Sequence, residues 1–280
     1  MREIASADIT AAVKEMCIEA NHKLAPDMVS SLERAKDSEE SPIGKRVLGQ
    51  LEENLQIAEK DTIPICQDTG MAVFFVEIGQ DAHVTGGWIE DAINEGVKKG
   101  YTEGFLRKSV VKSPIDRVNT GDNTPAVIHY FMVPGDRIKI TLAPKGFGSE
   151  NMSRVFMLKP ADGIEGIKNA VVTAVKDAGP NACPPMVVGV GIGGTFEKCA
   201  LLAKKALTRS VEEGAADPGI RELEKDILDR INKSGIGPAG LGGTVTALAV
   251  NIETYPTHIA GLPVAVNICC HVNRHAVRVL

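Results

Sequence analysis

The sequence predicts a mixed α/β (α+β) fold, with a helical N-terminal segment followed by interleaved short strands and helices. Three observations predict it. Residues 7 to 24 place Ile9, Val13, Met16, Cys17, Ala20 and Leu24 at three- and four-residue intervals, the period of an amphipathic helix. After "DTIPICQDTG" the pattern changes to short β-rich runs. Helical spacing then returns repeatedly between strands, but without the strict strand–helix alternation of a doubly wound sheet.

Taken in order, the first helix carries Cys17 on its apolar face, as a small buried hydrophobe. A second helix begins near Pro26 and a third runs through Val47, Leu48, Leu51 and Leu55. "MAVFFVEI", "AVIHYFMV" and, after the Pro-Gly-Asp turn at 134 to 136, "RIKITLA" read as strands. Helices are expected at 89 to 99, 163 to 178, 196 to 210 and 219 to 233, and further strands at "MVVGV", "TVTALAVNI" and "PVAVNI". The sequence shows no repeat and no low-complexity segment. We expect one catalytic domain over residues 1–280, with a soft division near 145–152, where strand patterning gives way to the Gly-Ser-Asn loop "APKGFGSENMSR".

Composition narrows the function. The 280 residues are 44% apolar and 24% charged, enough for a well-buried core, and 28 glycines imply many tight loops. The net charge of −5 is spread without a basic run, which argues against a nucleic-acid partner. An anionic small substrate must therefore be held by a few local cations. The N-terminus lacks a signal pattern and no apolar run reaches the roughly 18 residues of a membrane helix, so a cytoplasmic, non-membrane location is expected. Six cysteines in such a chain point to thiols or metal ligands and away from a disulfide framework.

The segment "ACPPMVVGVGIGGTFEKCALLAKKAL" poses two readings. Gly189, Gly191 and Gly194 fit the G-x-G-x-x-G spacing of a dinucleotide loop, as an NAD-dependent oxidoreductase would have. That loop should follow the first strand and be followed by a second strand ending in an acid; here neither holds, and glycines serving close helix-to-strand packing explain the spacing better. Cys183 precedes Pro184 and Pro185, which should fix an extended turn at the mouth of a strand. Cys66 lies in a proline-flanked loop before a strand, and Cys270 ends one. Three cysteines at element ends, far apart in sequence, are what a metal site assembled by tertiary folding would use, although no C-x-x-C is present. Cys199 falls in phase with Phe196, Leu202 and Ala203 and reads as core.

"PICQDTG", "LRKS" at 106 to 109, "NTGDNTPA", "KGFGSEN", the long cysteine–glycine segment and "TYPTHIAGLPVAVN" followed by Cys-His together resemble the alpha subunit of the class I, iron–sulfur fumarate hydratases and their L-tartrate dehydratase relatives. The resemblance covers nearly the whole chain. It implies a buried 4Fe-4S cluster held by three cysteines, with a fourth iron that has no protein ligand and binds substrate. The matching ligands are Cys66, Cys183 and Cys270, the last chosen over Cys269 because the family ligand stands directly before the histidine-like end of the segment. It implies substrate contacts at Gln67, Asp68, Arg107, Gly148 and His258, with Asp68 and His258 in catalytic roles. Arg117 is a weaker candidate, and Ser149 and Asn151 are possible polar lining.

The chemistry such a site performs is the reversible hydration of fumarate to L-malate, with conversion of tartrate to oxaloacetate as the close variant. A Lewis-acidic iron activates the hydroxyl of a 2-hydroxy dicarboxylate, and elimination then needs a proton acceptor and a proton donor on different sides. Guanidinium forks suit the two carboxylates. Asp68 stands two residues after Cys66, so in an extended loop both side chains face one side; its competing reading is an Asx-turn residue before Thr69 and Gly70. The resemblance also implies a beta subunit carrying the remaining arginines and the proton-abstracting group; alpha–alpha pairing in a heterotetramer is expected because enzymes of this size are usually symmetric oligomers. An electron-transfer iron–sulfur protein would want four cysteine ligands and no open iron.

Overall fold

The computed structural model describes all 280 residues, Met1–Leu280. In chain order the elements are β1 (Arg2–Ala5), α1 (Ser6–His22), α2 (Pro26–Ser38), α3 (Pro42–Asp61), β2 (Met71–Gly79), β3 (Ala82–Thr85), α4 (Ile89–Glu103), β4 (Val127–Val133) and β5 (Ile138–Lys145). There follow α5 (Phe147–Glu150), β6 (Arg154–Leu158), α6 (Gly163–Ala178), β7 (Met186–Gly193), α7 (Phe196–Ala206), α8 (Pro218–Asn232), β8 (Ala247–Tyr255), β9 (Leu262–Cys269) and β10 (Ala276–Val279). The mixed α/β class and the order of the long elements agree with the sequence reading. The short strands β1, β3, β6 and β10 were not visible in it. No helix is long and apolar enough to cross a membrane.

The chain divides into two compact units, Met1–Leu24 with Leu55–Phe147 and Arg274–Leu280, and Ala25–Asn54 with Gly148–Asn273. In the first, a four-stranded sheet of order β10-β5-β2-β4 is antiparallel except for the β2–β4 pair, which is parallel. β2 is central, and its run from Ala72 to Val76 is buried on both faces, which is why it reads as continuous apolar sequence and not as alternation. α1 packs against α4 by close approach: a Cβ on Gly96 would come within 2.6 Å of Val13 Cβ, and one on Gly100 within 2.7 Å of Cys17 Cβ. The core holds Ile9, Met16, Phe74, Ile93, Tyr101, Ile140 and Leu142, each buried apolar side chain stabilising the fold by about 1.5–3 kcal/mol. Cys17 is fully buried there, and burial pushes its thiol well above the ordinary range, so it is a core residue as expected.

In the second unit a sheet of order β6-β9-β7-β8 has the same pattern of directions, antiparallel, antiparallel, parallel. β7 is central and buried along its whole length. The glycine-rich segment is this strand and not a phosphate loop. A Cβ on Gly189 would lie 2.1 Å from the carbonyl oxygen of Ala203, and one on Gly191 2.0 Å from that of Cys199, so the bare strand face lets α7 sit directly on the sheet. Cys199 is accordingly buried in α7, with its thiol pushed up by burial.

Side chains close the outer edge of β8. Glu224 accepts from the Ile252 N–H at 2.8 Å and from the Ala215 N–H at 2.8 Å, while Arg209 donates to the Ile252 carbonyl at 3.2 Å and pairs with Glu224. β8 begins at Ala247 and not at Thr244 because the Thr244 and Val245 N–H groups are taken by the buried Glu39 carboxylate, at 2.9 and 2.8 Å. α7 ends at Ala206, four residues before its expected end, where the chain turns and the Thr208 hydroxyl closes on the Lys205 carbonyl.

Candidate active site

The first unit builds a polar network around the loop at 65 to 70, which carries three of the predicted site residues. Ile65 is buried and its N–H donates to the Asn21 carbonyl at 2.9 Å, anchoring the loop at its start. Cys66 and Asp68 are half-buried and Gln67 is exposed. Asp68 forms the Asx turn the sequence offers: Oδ1 accepts from the Gly70 N–H at 3.0 Å, while Oδ2 accepts from the Phe147 N–H at 2.8 Å. An ionised carboxylate has about four acceptor positions, so two remain for a proton or a ligand.

Thr69 ties this loop to a second predicted residue, since its buried hydroxyl donates to the Arg107 carbonyl at 3.0 Å while the Arg107 side chain stays exposed. The Tyr101 hydroxyl donates to the Thr69 and Gly70 carbonyls at 2.8 and 3.1 Å. Asn123, wholly buried, donates to the Gly70 carbonyl at 3.1 Å and accepts from the Ser109 N–H at 2.7 Å. Arg274, with 4% of its surface exposed, donates from Nη2 to the Asp68 carbonyl; its Nε and Nη1 meet no partner and no acidic side chain pairs with it. Burial pushes the Tyr101 phenol far above its usual range, so it is a permanent donor.

Sequence reasoning missed Tyr101, Asn123 and Arg274. Tyr101 looked like one more apolar residue of α4, and only its hydroxyl, which needs a partner once buried, could have signalled more. Asn123 lies within the "NTGDN" motif and has φ +64°, a conformation that asparagine tolerates better than most residues. Arg117 is exposed and its guanidinium reaches only the Pro114 carbonyl, at 3.5 Å.

In the second unit Cys183 closes a 3-10 turn over Gly179–Ala182. The expected extended conformation before Pro184 is not observed: Cys183 is left-handed, with φ 52° and ψ 64°, because its N–H turns back to the Pro180 carbonyl at 3.0 Å. Its side chain is exposed. Cys270 directly follows β9 and is half-exposed, whereas Cys269 pairs with Val187 in the sheet and is buried. The His271 ring Nδ1 lies 3.1 Å from the Cys183 carbonyl oxygen, which brings the Cys270–His271 segment to the Cys183 turn. Gly148 is close by: a Cβ there would meet the Asn181 carbonyl oxygen at 3.9 Å. The short helix α5, which carries Gly148 and the buried Ser149, is pinned through Glu150, which takes Lys204 at 2.5 Å and Asn267 at 2.9 Å. Asn151 is exposed.

His258 is placed elsewhere. It sits in the exposed turn between β8 and β9, where the Ala260 N–H donates to its Nδ1 at 3.2 Å and the Thr257 hydroxyl donates to the Gly194 carbonyl at 2.9 Å. Gly194 follows the end of β7, and Cys183 precedes its start. The unit thus joins Cys183, Cys270 and Gly148 at one end of β7 and puts His258 at the other.

The six cysteines separate by exposure: Cys17, Cys199 and Cys269 are buried, Cys66 and Cys270 are half-exposed and Cys183 is exposed. By donor chemistry the second group fits an iron–sulfur cluster, since thiolates are its usual ligands and these three can be reached. No group of three or more His, Cys, Asp or Glu side chains stands in a metal-holding arrangement.

Residues 10–279 match the family model described as fumarate hydratase (Fumerase). The chain is 45% identical over 276 residues to the putative L(+)-tartrate dehydratase subunit alpha of Methanocaldococcus jannaschii, covering 96% of each chain. It is 33% identical over 256 residues to the L(+)-tartrate dehydratase subunit alpha of Escherichia coli K12, covering 90% of this chain and 84% of that one. With a family match over almost its whole length, and relatives of this identity aligned nearly end to end, the chain belongs to the fumarate hydratase (Fumerase) family of hydro-lyases.

Proposed function

We propose that the chain is the cluster-bearing alpha subunit of an iron–sulfur hydro-lyase that works with a separate beta subunit on a small 2-hydroxy dicarboxylate, with residues 1–280 forming its catalytic part. The observation that carries the reading is the exposure of the cysteines: the three ligands implied by resemblance, Cys66, Cys183 and Cys270, are the three whose side chains reach solvent. Burial of Cys269 favours its neighbour as the third ligand. A cluster with one open iron position supplies Lewis-acid activation of the substrate hydroxyl.

The chain's own residues do the rest. Arg107 offers a fork to a carboxylate, and its backbone is fixed to the 65 to 70 loop by Thr69. Gln67 lines the same loop, and Gly148 leaves room for an anion to approach the backbone. Asp68, held by two N–H donors, keeps acceptor positions for a proton. His258, at the other end of β7 from Cys183, accepts at Nδ1 from the Ala260 N–H, which leaves Nε2 as the ring atom that can donate.

Malate and fumarate are the first substrate reading, in line with the family description. Tartrate is the second, favoured by the names of both relatives. Anaerobic reconstitution tests the proposal. Cys66→Ser, Cys183→Ser and Cys270→Ser should each lower bound iron, while Cys17→Ser and Cys199→Ser leave it unchanged; a full cluster without Cys183 would refute the ligand set. Turnover of the reconstituted pair on malate and on L-tartrate then assigns the substrate.

A further inference from the structure

Arg274 is a buried cation without a counter-charge. It stands in the segment between β9 and β10, at the end of the first unit's sheet where β5 stops and β2 begins, with 4% of its surface exposed. Nη2 donates to the Asp68 carbonyl, whereas Nε and Nη1 are shut off from solvent and meet no partner. Asp68, the acid on the loop that Arg274 holds, turns its carboxylate oxygens to the N–H groups of Gly70 and Phe147 instead. Three consecutive carbonyls, of Asp68, Thr69 and Gly70, thus accept from buried side chains, and two of the three donors, Tyr101 and Asn123, are neutral. A neutral amide could hold the Asp68 carbonyl as well. Placing a guanidinium there is strongly unfavourable, since no opposite charge offsets its desolvation.

The group that offsets the charge must be an anion, and a resident one. Water can occupy two free donors but does not neutralise a guanidinium. A substrate carboxylate that enters from solution at each turnover has no open approach to atoms with almost no exposed surface. The anion that stays with the loop is the one proposed at Cys66, two residues before the Asp68 peptide that Arg274 holds. An iron–sulfur cluster with three thiolate ligands carries net negative charge, and the charges and hydrogen bonds around it set its potential.

We propose that Arg274 is a positioning residue of the cluster site: one arm of its guanidinium fixes the Asp68 peptide, and its charge and remaining donors serve the negative iron–sulfur group on the same loop. The inference rests on the proposed hydro-lyase reading and adds a residue that is neither a ligand nor a substrate contact. A buried positive charge favours the reduced state of the cluster and so raises its reduction potential. It also draws electron density from the open iron, which strengthens that iron as a Lewis acid.

Two variants of the full chain separate charge from shape. Arg274→Gln keeps a donor for the Asp68 carbonyl and removes the charge, whereas Arg274→Lys keeps the charge. Each is melted iron-free and then reconstituted anaerobically with the beta subunit. Iron-free, Arg274→Gln should unfold no earlier than the wild type, because an uncompensated charge has gone. A lower midpoint means that the arginine serves the fold itself and overturns the inference. Reconstituted, Arg274→Gln should release iron to a chelator about tenfold faster, and its reduced-to-oxidised ratio at a fixed potential, read by electron paramagnetic resonance, should fall about tenfold, or about 59 mV for one electron. Arg274→Lys should restore most of both. An Arg274→Gln chain that keeps its iron-free midpoint yet takes up no cluster, with uptake restored in Arg274→Lys, is the same result at its limit; no restoration overturns the inference. Wild-type iron release and potential in Arg274→Gln overturn it while leaving the hydro-lyase reading intact. So does an unchanged potential with a raised KM for malate or L-tartrate, which would assign Arg274 to a substrate carboxylate. A wild-type chain that takes up no iron–sulfur cluster under the same conditions refutes the hydro-lyase reading itself.

Discussion

At the scale of single residues, Asp68 is a turn residue whose setting also suits the proton transfer proposed for it. Its two N–H donors fix the carboxylate in one orientation, which a proton-transferring group requires and which a surface aspartate lacks. Asp68→Asn should leave iron content unchanged and lower turnover about a hundred- to ten-thousand-fold, the usual worth of a general acid–base group. Because the new amide would point a donor at the Phe147 N–H, a thermal melt must accompany the assay; near wild-type turnover in a stable variant would reduce Asp68 to its turn. Glu39 carries a different role. Burial alone would raise its pKa, but the N–H groups of Ser41, Thr244 and Val245 and the Thr244 hydroxyl outweigh that and hold it below the ordinary value. A lowered folded pKa gives stability that is present above the unfolded value of about 4.3 and lost as pH falls through the folded one. Glu39→Gln should therefore cost about 2 kcal/mol at neutral pH, the scale of hydrogen bonds to a charged group, and the deficit should shrink below pH ~4. Denaturant titrations at pH 7 and pH 3.5 check both the size and the sign. The Asx turn of Asp68 was legible because Gly70 is two residues on; its bond from Phe147, 79 residues away, was not, and neither was the role of Glu39, whose partners Thr244 and Val245 lie some 200 residues away.

Elements were legible where a period had room to repeat. The long helices and the strands β2, β4, β5, β7, β8 and β9 span several repeats of their pattern and appear where the sequence puts them. Strands of four or five residues do not: β1, β3, β6 and β10 exist because a neighbouring strand offers hydrogen bonds, as when β10 pairs with β5 over Ala276 to Val279. The glycines of β7 show the opposite problem, a motif with more than one meaning. Spacing alone suits a phosphate loop, whereas the alternation of Gly189 and Gly191 on one strand face suits a helix lying flat on it. Gly191→Ala tests that packing directly. Its Cβ would meet the Cys199 carbonyl at 2.0 Å, so α7 must lift from the sheet, at a cost of about 3 kcal/mol or more. A large drop in the unfolding midpoint is expected, and an unchanged midpoint would mean that α7 yields without cost.

At the scale of the whole molecule, the two units repeat a topology that the sequence hides. In each, a central strand (β2 or β7) reaches a parallel neighbour through helix, and the next strand (β5 or β9) returns antiparallel on its other side. Cys66 and Cys183 precede the two central strands by five and three residues, and Gly146 and Cys270 follow the two returning ones. Within each unit, the start of the central strand and the end of the returning strand thus lie at the same end of that unit's sheet. In the proposed reading the chain's own residues serve the substrate from the side of the iron, and elimination of water needs a second group on the far side to remove the C3 proton. The resemblance assigns that group to the beta subunit. The isolated chain, purified and reconstituted anaerobically, should thus bind its full complement of iron and show little or no malate or tartrate dehydration. Added beta subunit should restore it with a saturable dependence on concentration, because the partner completes the site. Full turnover by the alpha chain alone would mean that the far-side base lies within these 280 residues, and the search for it would turn to the side chains around the 65 to 70 loop.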